Sequence, residues 1–331
     1  MTIETRTTLR TRDLSIGFGG KHAIASKLNL SVESGELIFL LGPNGVGKTT
    51  LLKTLAGLAK PVHGQIEVQG LPLDSVRRET LAKHRSIVLT QQPTVSSLRA
   101  REVVSLGRLP YASWSGSLNS SDDQIIERAM ELTSCSPLAD RLVAELSDGE
   151  RQKVFIARAI AQDTPIIMLD EPTAFIDLPR RVEIVQLLRR LTREFDKSVI
   201  LSTHDLDLAL MAADRIWLLS TGGTFATGLP EELVLSGDLK RSFHSDDILF
   251  DETTGRFAWN NDKGTPINVR GDDLLATWTK RALIRLGYRI DPASSQVINT
   301  TSSPNTWILS SSTDSLSFPS LAELANHLRR R

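Results

Sequence analysis

The sequence predicts an α/β fold organised around a parallel sheet, with a small second α/β unit at its C-terminal end. Three observations carry this expectation. Apolar runs of strand length, at 37–41, 86–90, 165–170 and 198–202, alternate with segments of helical period, and such alternation builds a parallel sheet covered by helices. The run at 37–41 passes through a glycine-rich loop, 42–50, straight into a helix-like segment. From about residue 255 the composition shifts toward Ser, Thr and Asn, which marks a separate unit.

Each element has its own signal. Residues 8–41 alternate in polarity and then turn apolar, broken by Gly17-Phe18-Gly19-Gly20 and Glu33-Ser34-Gly35, so several strands feed the loop. Further strands are expected at 64–69 and at 86–90, the latter closed by Gln91-Gln92-Pro93. Residues 98–163 are mostly helical in period, around a Ser- and Gly-rich loop at 113–121. Asp122 and Asp123 stand at a helix start, where the helix dipole favours negative charge. Strand 165–170, helix 179–194 and strand 198–202 complete the core, and Asp170 and His204 fall at strand ends, where parallel sheets bind ligands. In the second unit a strand is expected at 265–270, a helix at 272–287, strands at 296–300 and 306–310, and a closing helix at 320–329. No internal repeat is visible.

At 331 residues the chain suggests about two domains. Apolar residues make up 40% and charged residues 24%, an ordinary soluble composition. The formal net charge is zero, so no global field favours nucleic acid or an anionic membrane. The single cysteine, Cys135, forbids an internal disulfide and suits a reducing compartment; it reads as a small packing residue. No apolar run approaches the ~18 residues that span a bilayer, and the N-terminus lacks the apolar stretch of a secretion signal. A cytosolic protein is expected, with any membrane part supplied by other chains.

Residues 42–49 satisfy G-x-x-x-x-G-K-[ST] in the strand–loop–helix setting that the motif requires. The loop through Gly42, Pro43, Asn44, Gly45, Val46 and Gly47 can turn tightly and expose its N–H groups. With the N-terminus of the following helix, these cradle phosphates. Lys48 can reach the β- and γ-phosphates, the hydroxyl of Thr49 can meet Mg²⁺, and Thr50 opens the helix. The ligand implied is a nucleoside triphosphate with Mg²⁺.

Downstream segments then line up in order. Leu146-Ser147-Asp148-Gly149-Glu150-Arg151-Gln152 resembles the signature motif of ATP-binding cassette (ABC) ATPases, and 166–173, Ile-Ile-Met-Leu-Asp-Glu-Pro-Thr, resembles their Walker B segment. Ala174-Phe175-Ile176-Asp177 falls at their D-loop, Thr203-His204-Asp205 at their switch histidine, and Gln91 at their Q-loop. The resemblance covers about residues 8–240. It implies a P-loop ABC ATPase core with a mixed sheet and a helical subdomain at about 93–163, in a first domain of 1–250; the composition shift leaves a small C-terminal α/β domain at 256–331. The resemblance implies ATP and Mg²⁺ as ligands. Asp170, Thr49 and Gln91 would hold Mg²⁺, Glu171 would be the general base, and His204 would sense the γ-phosphate. Phe18 resembles the aromatic residue that stacks on adenine, with a core phenylalanine as the competing reading. Ser147, Asp148, Gly149 and Glu150 would face the nucleotide of a second copy, so two chains would sandwich two ATP molecules head-to-tail.

Two positions depart from the family pattern. The signature usually reads Ser-Gly-Gly-Gln, so Asp148 and Glu150 add negative charge near phosphate, which either slows closure of the pair or is offset by Arg151 and Lys153. Ala174 replaces the usual leading Ser of the D-loop. The catalytic set is intact, and ATP hydrolysis is expected.

The stretch Gly107-Arg108-Leu109-Pro110-Tyr111, then Trp114 and Asp122-Asp123, is similar to ATPases of iron-siderophore, haem and cobalamin importers. This implies a homodimer on two integral-membrane permease subunits at the cytoplasmic face of the inner membrane, acting indirectly with a substrate-binding protein and without nucleic acid. Two other readings stay open: a soluble ABC ATPase in assembly or regulation, and an exporter ATPase with separate permeases. The 256–331 unit lies outside the pattern; it carries ten Lys/Arg against six Asp/Glu. It is either a packing or dimer-stabilising appendage or a regulatory sensor.

Overall fold

A computed structural model describes residues 6–330 apart from 19–21, 91–94, 96, 114, 115, 175, 244–247, 253, 272, 303, 304, 312 and 313. The chain divides into two compact units, Met1–Phe243 and His244–Arg331.

The first unit opens with β1 (Thr7–Phe18), β2 (His22–Leu28), β3 (Ser31–Glu33) and β4 (Leu37–Leu41), followed by α1 (Lys48–Leu55), β5 (His63–Val68) and β6 (Leu71–Pro72). After a short α2 (Arg78–Leu81) come β7 (Arg85–Val88), α3 (Ala100–Ser105), a 3-10 turn (Leu106–Tyr111), α4 (Ser120–Leu132) and α5 (Asp148–Ala161). The unit closes with β8 (Ile166–Asp170), α6 (Leu178–Phe195), β9 (Ser198–Ser202), α7 (Leu206–Ala212), β10 (Arg215–Leu219), β11 (Phe225–Gly228), α8 (Pro230–Leu235) and α9 (Asp238–Ser242).

These strands make two sheets. The larger is ordered β11-β10-β4-β9-β8-β7 and is parallel except at its β11 edge. In β4, β8 and β9 all five residues are buried, as expected for parallel strands covered on both faces, which read as continuous apolar runs. The smaller sheet, β2-β1-β5-β6 with β3 paired to β1, is antiparallel. Leu51, Leu52 and Leu55 of α1 are fully buried in one core with Leu9, Leu14 and Ile16 of β1 and Ile38, Leu40 and Ile200 of the larger sheet. That packing fixes the start of α1, and so the loop before it, against both sheets.

The helices at 100–161 form the helical subdomain. Asn119 caps α4 by accepting the N–H groups of Ser121 and Asp122, and the Asp122 carboxylate returns to the N–H of Asn119, a reciprocal capping box. The importer-like stretch does packing work here. Arg108 is buried, donates to Asp122 at 2.9 Å and to the carbonyl of Ala161 at 3.0 Å, and lies 4.0 Å from the Tyr111 ring centroid. A Cβ on Gly107 would meet the Arg158 carbonyl at 2.3 Å, so the turn needs glycine to sit on α5. Among the described apolar residues of this stretch, Leu109 is the strongly exposed one. Cys135, just beyond α4, is fully buried and accepts from the Thr133 hydroxyl.

The second unit begins with a hairpin, β12 (Ile248–Asp251) and β13 (Arg256–Trp259), which the sequence reading cut at 250–256. Then come β14 (Pro266–Arg270), α10 (Leu274–Arg285), β15 (Arg289–Ile290), β16 (Val297–Ser302), β17 (Asn305–Ser310), β18 (Ser315–Phe318) and α11 (Leu321–Arg329). The sheet order is β15-β14-β16-β17-β18, parallel around β14 and antiparallel beyond β16. Its core joins Ile267, Val269, Ile298, Trp307 and Leu309 of the sheet to Ala276, Leu283, Leu324 and Leu328 of both helices. The buried Trp307 indole donates to the Thr279 hydroxyl at 2.7 Å.

Candidate functional site

The loop after β4 is shaped by its glycines. Gly42 has φ +151°, and a Cβ there would lie 2.1 Å from the Leu219 carbonyl at the end of β10. Gly47 has φ +113° and caps α1 without a side-chain bond, and no acidic residue occupies the first turn. The first N–H groups of α1 therefore point into an open cleft of 370 Å³ lined by Gly17, Asn44, Lys48, Thr49, Lys53 and Glu171, among others. Unsatisfied N–H groups, the positive helix end and two lysines make this an anion cradle.

Lys48 donates to the carbonyls of Gly42 at 2.8 Å and Pro43 at 3.1 Å. Burial lowers its pKa, and the nearby Glu171 and Asp170 oppose that shift. An incoming phosphate oxygen gives this ammonium a stronger, charge-assisted acceptor than either carbonyl.

At the ends of the neighbouring strands three hydroxyls converge on Asp170. Thr49 reaches both carboxylate oxygens, at 3.0 and 2.9 Å. Ser202 donates to Oδ1 at 2.7 Å, and Thr90 to Oδ2 at 2.9 Å. Asp170 and Ser202 are register partners across β8 and β9. Thr49 and Asp170 present hard oxygen donors side by side, a set that fits Mg²⁺ held partly by protein and partly by phosphates. Among the described residues no group of three or more His, Cys, Asp and Glu side chains could hold a metal unaided.

Glu171 follows with φ +50°, a left-handed conformation that costs a non-glycine residue about 1–2 kcal/mol. Its N–H is held by Ser202 Oγ at 3.0 Å, and its Oε1 lies 3.9 Å from His204 Nδ1. Lys48, Thr49 and Glu171 line the cleft, with Asp170 bonded behind Thr49 and His204 beside Glu171. Gln91 lies outside the described residues, and so does the side chain of Phe18, whose backbone ends β1; Gly17 beside it lines the cleft.

The signature residues cap another helix. Ser147 is the N-cap of α5 and accepts the Glu150 N–H, while Glu150 returns to Ser147. Their charges are paired differently from expectation. Asp148 is bonded by Arg151, Glu150 by Arg141 at 3.3 Å, and Lys153 is taken by Glu183 at 3.1 Å, so Arg141 stands in the role anticipated for Lys153. A Cβ on Gly149 would lie 3.0 Å from an Arg180 nitrogen, and Arg180 also meets Asp177, the N-cap of α6, at 3.7 Å. The signature and D-loop are thereby adjacent.

Sequence reasoning missed Thr90, Ser202 and Arg141. The first two had one usable signal, a hydroxyl residue at the end of an apolar strand beside the loop.

Known proteins match both units. The ABC transporter family model matches residues 25–174, and the iron ABC transporter C-terminal domain model matches residues 263–329. The achromobactin transport ATP-binding protein of Dickeya dadantii is 37% identical over 242 residues, 72% of this chain and 89% of that one. The iron(3+)-hydroxamate import ATP-binding protein of Bacillus subtilis is 36% identical over 249 residues, 75% of this chain and 92% of that one. Among solved structures, an inward-facing metal-chelate type ABC transporter superposes with a TM-score of 0.63 at 28% identity, over 72% of this chain and 89% of that one. A dimeric ATP-binding cassette with ADP and phosphate bound gives a TM-score of 0.59 at 26% identity, over 67% and 98%. Among the described residues no helix is long and apolar enough to cross a membrane.

Proposed function

The chain belongs to the ATP-binding proteins of ABC transporters, an ATPase family, and from that premise we propose that it powers the import of an iron chelate such as a siderophore or haem, or of cobalamin. The observation that carries the substrate class is the pairing, in one chain, of the cassette with a match to the iron ABC transporter C-terminal domain at 263–329. The siderophore-transport names of its relatives support it.

In this reading the N–H groups of 42–49 bind the β- and γ-phosphates, and Lys48 leaves the carbonyls of Gly42 and Pro43 to join them. Phe18 stacks on the adenine. Thr49 and Asp170, with Gln91, would hold Mg²⁺, which would neutralise phosphate charge. Glu171 orients the attacking water and accepts its proton. His204, beside Glu171, donates toward the γ-phosphate as charge develops there. Ser147 and Gly149 of a second copy close over the same phosphate, and Asp177 completes the contact between copies. Two chains then sandwich two ATP molecules on two permease subunits, at the cytoplasmic face of the membrane. Hydrolysis reopens the pair. Residues 256–331 act as a domain of that assembly.

The test is purification of tagged Glu171→Gln protein from detergent-solubilised membranes of its own cell with ATP, and identification of partners by mass spectrometry. Stoichiometric recovery of a polytopic permease encoded with a chelate-binding protein is the expected result. Recovery from the soluble fraction without any membrane partner overturns the importer reading.

A further inference from the structure

We propose that Ser202 is a positioning residue for ATP hydrolysis: one hydroxyl couples the metal-binding carboxylate of Asp170 to the backbone that aims Glu171. The proposal rests on the roles given above to Asp170 and Glu171.

Ser202 is the last residue of β9 and is fully buried. Its oxygen accepts the N–H of Glu171 at 3.0 Å. Its own proton goes to Asp170 Oδ1 at 2.7 Å. The polarity of this relay is forced. A backbone N–H only donates, so the serine oxygen must accept there, and an ionised carboxylate only accepts, so the serine proton must point to Asp170.

Two consequences follow from the geometry. The first concerns the carboxylate. With the Thr49 hydroxyl given over to Mg²⁺, Asp170 would still keep one donor on each oxygen, Ser202 on Oδ1 and Thr90 on Oδ2. The single Thr90 proton is shared between Oδ2 and the Asp170 carbonyl at 3.0 Å, which ties the hydroxyl to this residue. Each oxygen retains a free lone pair, and the carboxylate plane cannot rotate without breaking a bond at both ends. The second concerns the base. Glu171 sits at φ +50°, a conformation that persists only where its surroundings determine it. Ser202 supplies that determination twice, through its hydroxyl and through its carbonyl, which takes the Glu171 N–H at 3.2 Å. One atom, Ser202 Oγ, thus bonds both the Asp170 carboxylate and the Glu171 backbone, so a shift of either would reach the other through it. In water-excluded sites, misplacement of a reacting group by about 1 Å costs on the order of a hundredfold in rate.

The full-length chain is tested as Ser202→Ala, with Ser202→Cys as a near-isosteric variant that keeps the packing and offers only a weak donor. Asp170→Asn and Glu171→Gln serve as references. Steady-state hydrolysis is read alongside direct nucleotide binding with and without Mg²⁺. For Ser202→Ala we expect kcat to fall roughly 10- to 100-fold, with ATP affinity in the absence of metal unchanged. The gain in nucleotide affinity that Mg²⁺ gives should shrink several-fold, and Ser202→Cys should show the same pattern at smaller size. Turnover and metal-dependent binding within twofold of wild type in either folded variant, while both references are impaired, overturns the proposal. Normal turnover in Asp170→Asn and Glu171→Gln instead overturns the roles it rests on.

Discussion

Glu150 holds the Ser147 hydroxyl at 2.8 Å and takes the Ser147 N–H on the same carboxylate oxygen at 2.9 Å. Those two bonds hold the Glu150 carboxyl below its usual range, aided by Arg141 and Arg180. In the head-to-tail pair proposed above, a phosphate of the second copy would compete with this carboxylate for one hydroxyl, anion against anion. Glu150→Gln removes the charge and keeps the capping oxygen. The apparent KM for ATP should fall roughly fivefold, the size of a single unscreened charge at about 4 Å in water. Kinetics at low and high salt check this, because the difference should narrow as salt screens the charge.

Lys48 donates to two backbone carbonyls, those of Gly42 and Pro43, which a bound phosphate would replace. Lys48→Ala should weaken ATP binding roughly 10- to 100-fold, the worth of a charge-assisted hydrogen bond. Equilibrium binding of a fluorescent ATP analogue measures it, and unchanged affinity would remove Lys48 from the phosphate site.

Asp122 and Arg108 form a pair with side chains only 3% and 7% exposed. The Asn119 N–H first, and then Arg108, hold the Asp122 carboxyl below the usual carboxylate range. A lowered carboxyl pKa adds stability that is complete above the unfolded value and disappears as pH falls through the folded one. Asp122→Asn should therefore unfold at lower urea than wild type at pH 6, with the gap closing below pH 4. A gap that stays constant to pH 3 would contradict the assignment.

Thr279 is the acceptor for the buried Trp307 indole. Thr279→Val keeps the shape and strands that N–H, at a cost of about 1–3 kcal/mol. Hydrogen exchange in β16 and β17 of the full chain should speed up roughly 5- to 150-fold, with the phosphate-loop helix unaffected.

The fold was legible where burial and sequence pattern coincide. The runs at 37–41, 166–170 and 198–202 are covered on both faces, so their apolar continuity named them as strands. The same runs placed Asp170 at a strand end, with Glu171 and His204 just beyond two paired strands, where the structure also has them. The hairpin at 248–259 was not legible, because Phe250 is its one buried large apolar residue and its strands show no alternation. The strand at 315–318 hides in a serine-rich tract and pairs only through β17. Ser202 and Thr90 escaped for a different reason. A hydroxyl at a strand end carries no periodicity, and its role exists only once β7, β8 and β9 are set side by side. Arg141 lies nine residues from Glu150 in sequence, and only the turn into α5 brings them together.

Cys135 has no exposed surface, and burial raises the pKa of its thiol. To a maleimide the native chain is effectively blank. A cysteine introduced at Asp177 or Ser147 would then be the single addressable position on each subunit. Spectroscopic labels or a bifunctional linker placed there could follow the approach of two copies in real time, against a wild-type background that needs no prior cysteine removal.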